Sequence, residues 1–378
     1  MNILLLHGSS DLYGASKILL HTVHMLHRRG HKPLVILSEE GPLVAALADA
    51  GAEIYFIRLG ILRRKYKSLK GILNRCFVLR NAYFTLKRLI KEKNIQLVYS
   101  NTTAVLAGAF AAKSLGIKHV WHVHEIIEQP KWLYFILGKL LNNLSDTVII
   151  VSEAVFNSWR KYVSEEKLSL VYNGISYGAY LQPDETNLLR NELGVDHNTV
   201  IIGMIGRVHY WKGQIYFLQI AAHLAKKFTN LHFVLAGDAF PGYEYLYDEI
   251  KTIITKENIG PLVTNLGYRT TIPTIMRGLD ILVLPSILPD PFPTVVLEGM
   301  ASAKPLAATA HGGALEMVDD GITGVHIPVN QPEAAAKIIG RLIKDPSLRM
   351  KMGEAGRQKV LTNYSLEAFE RKMIKVLE

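Results

Sequence analysis

The chain has 378 residues, enough for two domains of ordinary size, and 49% of them are hydrophobic, which excludes wholesale disorder. One cysteine, Cys76, excludes an intramolecular disulfide and a cysteine-based metal cluster, and fits a reducing, cytosolic setting. The formal charge is +10, and nearly all of the excess lies between Ile61 and Lys93.

In chain order, "MNILLLH" lacks a basic start, and His7 ends its apolar run. It reads as a first buried strand and not as a signal peptide. "HGSSDLYGASK" follows, a glycine-containing loop opening a helix near Gly14. It is neither a G-x-G-x-x-G fingerprint nor a P-loop. In that helix Leu19, Val23 and Leu26 supply a core face, which leaves His21, His24 and His27 as a solvated stripe. "PLVIL" and "EIYFI" are strands, with a helix between them from about Pro42. The basic segment comes next: Arg63, Arg64, Lys65, Lys67, Lys70, Arg75, Arg80, Lys87, Arg88, Lys91 and Lys93, opposed by Glu92. Leu69, Phe77, Tyr83 and Phe84 are interleaved with it. Such a run is either a solvated helical face or a surface for an anionic partner.

"QLVYS" is a strand and a helix is expected from about Thr103. "AVLAGAFAA" is the longest clean apolar run, and Lys113 stops it far short of the roughly 20 residues a spanning helix needs. "KHVWHV" and "TVIIVS" are further strands, with helices from about Pro130 and Glu153. In "HVWHVHEI", alternation puts Trp121 and Val123 on one face and His122 and His124 on the other. No third ligand has a recognisable spacing, so a sugar hydroxyl or a buried hydrogen bond suits these histidines better than zinc. A polar seam carrying Pro183 (Tyr180 to Val195) separates the halves. Beyond it "VIIGMIG", "LHFVLAG", "LVTNLG", "DILVLPS", "PLAATA" and "GVHIP" repeat the same style. Continuous apolar strands alternating with helices predict an α/β chain of two doubly wound parallel sheets. Ligands of such sheets bind beyond the carboxyl ends of the strands, and with two domains the natural site is the cleft between them.

Two stretches of the second half carry chemistry. "IGMIGRVHYWKGQ" puts Gly206, Arg207, Lys212 and Gly213 between a strand and a helix. Two cations and a helix N-terminus at one spot suit a diphosphate. "LPDPFPTVVLEGMASAKPLAA" holds Asp290 and Glu298 with seven residues between them. The prolines stiffen the loop carrying Asp290, and a helix starting near Pro293 or Thr294 puts Glu298 about one turn in. Two carboxylate oxygens can take both hydroxyls of a ribose cis-diol, and the loop acid with neighbouring N–H groups can hold a sugar. Gly299 and Ala303 allow the helix to pack closely.

These residues resemble the GT-B glycosyltransferases, specifically retaining glycosyltransferase family 4, over nearly the whole chain. The most specific match is Asp290, Phe292, Glu298-Gly299-Met300-Ala301, then Gly312-Gly313 with Glu316, and Asp320-Gly321 with Gly324. Gly206-Arg207 and Lys212-Gly213 match the family's diphosphate-binding pair, and "VYNGIS" its turn before the interdomain linker. The family carries Glu where Asp290 stands, commonly Gly at Pro293, Gly at Tyr13 and often Asp at Ser176.

The resemblance implies two Rossmann-like domains facing across a cleft. An acceptor domain would span residues 1–182, a donor domain 183–362, and a C-terminal helix (363–378) would pack back toward the first. It implies transfer of a sugar from a nucleotide-diphosphate sugar by front-side attack, without a covalent nucleophile. The donor site would comprise Gly14, Gly206, Arg207, Lys212, Phe292, Thr294 and Glu298, and the catalytic set Arg207, Lys212, Asp290 and His124, the last facing the donor sugar. The chain has no Asp-x-Asp pair, so no metal is expected at the diphosphate. The acceptor is expected to be a glycan, free or linked to a polyprenyl diphosphate, in cell-surface polysaccharide or glycoconjugate synthesis. The segment from Arg63 to Lys93 is expected on an anionic membrane, making the protein cytoplasmic and peripheral on its inner face; no nucleic-acid partner is expected. A nucleotide-sugar epimerase of the same fold and a non-catalytic glycan- or membrane-binding scaffold are the rival readings.

Overall fold

Strands with apolar residues at every position can be buried on both faces only if helices cover both sides of the sheet, and that is how this chain folds. The structure is a computed structural model that describes residues 1–61, 69–127, 129–183, 187–239 and 242–378. The basic residues Arg63, Arg64, Lys65 and Lys67 therefore lie outside the described residues. The chain forms two units, residues Met1–Ile175 with Leu366–Glu378, and Ser176–Ser365.

The first unit runs β1 (Asn2–His7), α1 (Gly14–Arg28), β2 (Lys32–Leu37), α2 (Pro42–Asp49), β3 (Glu53–Phe56), α3 (Leu69–Glu92), β4 (Leu97–Asn101), α4 (Ala107–Leu115), β5 (Lys118–Val123), α5 (Lys131–Leu144), β6 (Thr147–Ile150), α6 (Glu153–Trp159) and β7 (Leu168–Leu170). Its sheet order is β3-β2-β1-β4-β5-β6-β7, with every pair parallel. Ile3, Leu4, Leu5 and Leu6 of β1 are completely buried. Two expectations need correction. The helix expected at Thr103 begins at Ala107, because Thr102 has φ +88° and the Thr103 amide is taken by the Glu125 carboxylate at 3.2 Å. Strand β7 was not anticipated: it has three residues, lies at the sheet edge and buries only Leu168.

The second unit runs α7 (Leu188–Leu193), β8 (Val200–Ile205), α8 (Gln214–Ala225), β9 (Leu231–Ala236), α9 (Leu246–Lys256), β10 (Val263–Asn265), α10 (Ile272–Gly278), β11 (Ile281–Leu284), α11 (Thr294–Ala301), β12 (Leu306–Thr309), α12 (Ala314–Met317), β13 (Gly324–Ile327), α13 (Pro332–Lys344) and α14 (Pro346–Asn363). Its sheet order is β10-β9-β8-β11-β12-β13, again all parallel. The last helix, α15 (Leu366–Leu377), belongs to the first unit. It buries Phe369, Met373 and Leu377. Glu370 pairs with Arg28 at 2.5 Å, and Lys118 Nζ donates to the Val376 and Leu377 carbonyls at 3.2 Å.

Candidate functional site

In the second sheet the chain winds outward from β8 in one direction and from β11 in the other, so these neighbours mark its switch point. The loops beyond their carboxyl ends are tied together three times. Ile287 N donates to the Trp211 carbonyl at 2.8 Å. Gly213 has φ +87°, and a Cβ there would lie 2.0 Å from the Pro285 carbonyl oxygen, so only glycine fits. Third, Lys212 Nζ meets Asp290 Oδ2 at 2.5 Å. The side chains of this pair are 21% and 8% exposed, so both charges are largely withdrawn from water. Lys212 Nζ also lies 4.3 Å from the Trp211 ring centroid. Sequence reasoning divided Lys212 and Asp290 between phosphate and sugar and did not foresee their contact.

Gly206 follows β8 and gives its N–H to the Ala236 carbonyl at 2.9 Å. Arg207 follows, half-buried, and its carbonyl accepts a 2.9 Å bond from Gln214 Nε2 at the start of α8. Across from them, Asp290 is 6% exposed, and its carbonyl accepts the Gly313 N–H at 2.8 Å. A Cβ on Gly313 would sit 2.3 Å from the Pro291 carbonyl oxygen, so the Gly312-Gly313 pair is what lets this loop lie down. Phe292 is buried edge-on against Tyr364, with ring centroids 5.6 Å apart, so its side chain packs the loop. Thr294 opens α11, and Glu298 lies about one turn in, buried. Burial, together with the charge of nearby Glu298, raises the Tyr180 phenol above its usual range. Sequence reasoning did not single out Tyr180. Gly299 lets α11 approach β11, since a Cβ there would meet Leu282 Cδ2 at 2.4 Å. The Asp320–Gly324 turn is scaffold: Asp320 Oδ1 accepts from His326 N at 2.7 Å, and Gly324 abuts the Leu306 carbonyl of β12.

In the first unit, Gly14 is the first residue of α1, and an added Cβ would meet nothing within 4 Å. His124 lies just beyond β5. Its Nε2 is 2.8 Å from Asn101 Oδ1, and its ring lies 4.0 Å from that of His122. Burial, with His122 and His7 nearby, holds the His124 pKa well below the imidazole range, so the ring is neutral. His122 is buried and bonded through Nδ1 to the Tyr99 hydroxyl, the buried hydrogen bond that sequence reasoning allowed. Glu125 was missed. It accepts the His124 N–H at 3.1 Å as well as that of Thr103, and burial pushes its carboxyl up to about 7. The signal for Asn101, His7 and Glu125 is the same: each is a polar residue ending, or just beyond, an apolar strand. Among the described residues no group of three His, Cys, Asp or Glu could hold a metal ion.

The basic helix α3 exposes Arg80, Arg88 and Lys91 together with Leu73, Phe77 and Phe84, the last three 67%, 60% and 55% exposed. On α5, Trp132, Phe135 and Ile136 are exposed as well. A groove of about 530 Å³ beside α3 is walled by Leu79, Tyr83, Phe110 and Leu144, with Arg80 and Lys113 at it. No helix among the described residues is long and apolar enough to cross a membrane.

Comparison with known proteins bears on both halves. Residues 13–177 match the family model "Glycosyltransferase Family 4", and residues 185–359 match "Glycosyl transferases group 1". An α-maltose-1-phosphate synthase of Mycolicibacterium smegmatis is 29% identical over 299 residues, 71% of this chain and 75% of that protein. The UDP-Gal:α-D-GlcNAc-diphosphoundecaprenol α-1,3-galactosyltransferase of Escherichia coli is 23% identical over 375 residues, 94% of this chain and 91% of its own. Among solved structures, Anabaena HepE in complex with UDP-glucose superposes with a TM-score of 0.86 at 24% identity, over 100% of this chain and 99% of that one.

Proposed function

The chain belongs to the GT-B glycosyltransferases, its halves carrying the family 4 and group 1 domains, and on that premise we propose that it moves a sugar, with retention, from a nucleotide-diphosphate sugar to a glycan acceptor. The observation that carries this reading is the second unit's switch point, where Arg207, Lys212, Asp290 and the start of α8 come together. Arg207 and Lys212, with the N-terminal amides of α8, stabilise the departing diphosphate. Each charge-assisted bond contributes about 1.5–3 kcal/mol. Glu298, with Tyr180 beside it, takes the ribose hydroxyls. Asp290 and the backbone of the stiff 289–293 loop position the transferred sugar, and neutral His124 is assigned to one of its hydroxyls. The acceptor hydroxyl oxygen forms the new bond to the anomeric carbon on the face that the phosphate oxygen leaves. The hydroxyl proton passes to that phosphate oxygen.

UDP is the first nucleotide to test, since the E. coli relative is named for UDP-galactose and HepE binds UDP-glucose. The acceptor is read as lipid-linked because α3 carries exposed cations beside exposed aromatic side chains, a combination suited to an anionic bilayer. The protein would then work as a peripheral protein on the inner face of the cell membrane, without a divalent metal. The test is UDP release from a panel of UDP-sugars, with and without an undecaprenyl-diphosphate-linked acceptor, and the anomeric configuration of the product by NMR. Acceptor-dependent release with an α-linked product from an α-linked donor is expected. Epimerised donor without acceptor, or an inverted product, would overturn the reading.

A further inference from the structure

The first sheet has its own switch point, between β1 and β4, and the residues ending these strands form a hydrogen-bonded chain whose direction can be worked out. Asn101 is completely buried and its Nδ2 donates to the Ala15 carbonyl at 3.1 Å. A carbonyl can only accept, so this bond fixes which end of the Asn101 amide is nitrogen. The second hydrogen on Nδ2 points to His7 Nδ1 at 3.0 Å, so His7 Nδ1 is unprotonated. Burial holds His7 down to about 4, so the ring is neutral and its proton is on Nε2. That Nε2 donates to Ser16 Oγ at 2.9 Å, and Ser16 Oγ donates to Asp11 Oδ1 at 3.1 Å. At the other end, Asn101 Oδ1 can only accept, so His124 Nε2 carries the proton in their 2.8 Å bond.

We propose that Asn101 is a positioning residue that locks His124 as the Nε2–H tautomer, leaving Nδ1 as a fixed hydrogen-bond acceptor that selects a hydroxyl-bearing and rejects a carboxylate-bearing donor sugar at that point. The sugar half of this statement rests on the assignment of His124 made above; the tautomer half rests on the hydrogen bonds alone. An acceptor nitrogen can take a hydroxyl hydrogen, whereas a carboxylate would bring a second acceptor against it. The relay runs one way, from His124 through Asn101, His7 and Ser16 to Asp11, and no member can reverse without turning the amide away from Ala15.

The test is imidazole nitrogen NMR on the full-length chain, paired with steady-state kinetics on UDP-glucose and UDP-glucuronate. The titratable groups around His124 are His7, His122, Glu125 and, through the relay, Asp11. In the wild type, His124 should show a protonated Nε2 and an unprotonated Nδ1, unchanged between pH 5 and 8. Asn101→Asp keeps the shape but replaces the amide donor by a carboxylate, so His124 should acquire a titration inside that range. Below the new pKa Nδ1 carries a proton and can donate to either group, so the discrimination should narrow: the KM for UDP-glucuronate should fall about three- to tenfold, the gain of one hydrogen bond, with little change for UDP-glucose. Ser16→Ala cuts the relay at its far end and should leave the His124 tautomer in place, because Ala15 still holds the amide; it controls for general loosening. A wild-type His124 protonated on Nδ1, or an Asn101→Asp spectrum identical to the wild type, overturns the proposal. So does a Ser16→Ala variant in which His124 titrates as it does in Asn101→Asp. Spectra as expected with an unchanged KM for UDP-glucuronate would instead remove the sugar from His124, which is the failure of the functional assignment and not of the relay.

Discussion

Asp290→Asn separates two roles that the Lys212–Asp290 pair could play. The substitution keeps the size of the side chain, and the 2.8 Å bond from Gly313 N to the Asp290 carbonyl is untouched, so only a charge is lost. Lys212 is paired with Asp290 at 2.5 Å, with both side chains mostly out of water. A diphosphate arriving at Lys212 must share the cation and also sit near the acid. Two like charges about 6 Å apart at an effective dielectric near 20 repel by about 3 kcal/mol, part of which bound cations offset. Removing the acid should therefore tighten UDP binding by about 1.4 kcal/mol, or tenfold, while sugar transfer falls. The stability cost should be small, about 1.5 kcal/mol, because Lys212 remains partly solvated and keeps its contact with the Trp211 ring. Calorimetry with UDP and urea denaturation of both proteins give the two numbers. Weaker UDP binding in Asp290→Asn would refute the reasoning, since it would mean that the acid aims Lys212 at the diphosphate and does not compete for it.

Gly213→Ala forces a Cβ toward the Pro285 carbonyl from a left-handed backbone and should lower stability by at least 2 kcal/mol and weaken UDP binding; an unchanged urea midpoint would contradict the close approach seen here. Transfer activity is expected to survive EDTA, and a complete loss restored by magnesium would place a metal at the diphosphate. Sedimentation with anionic vesicles should fall as salt rises and drop further when Arg80, Arg88 and Lys91 are changed to Glu, with UDP binding spared; equal sedimentation with neutral vesicles would return α3 to a merely solvated face. Burial holds His7 and His119 down to about 4 and His122 to about 3, whereas the unfolded chain takes up these protons near 6.5. Stability should therefore rise with pH from about 4 to 6.5 and be lost as the pH falls through that window. Glu125, raised to about 7, works in the opposite sense, contributing most below its unfolded value and losing that contribution as the pH rises through 7. Urea midpoints at pH 5 and 7 check the balance, and Glu125→Gln should steepen the rise between them.

The strands were legible because residues buried on both faces leave short continuous apolar runs such as Ile3 to Leu6, rich in branched side chains, whereas the comparable run in α4 is mostly alanine and glycine. The acid spacing was legible too: Asp290 falls in a loop and Glu298 about one turn into α11, as a stiff proline loop followed by a helix requires. What pattern could not supply is which strand ends meet. Lys212 and Asp290 are 78 residues apart and touch only because β8 lies beside β11. His7 reads as the stop that ends the first apolar run, and Asn101 as the stop that ends the fourth strand. In the sheet these two stops stand directly opposite, His7 paired in register with Asn101 and Asn101 with His122. A polar residue ending a buried strand must find a partner there, because its backbone neighbours are already out of water. In this sheet the partner is the stop of the adjacent strand, so a row of residues that looks like punctuation along the chain becomes one hydrogen-bonded network at the switch point.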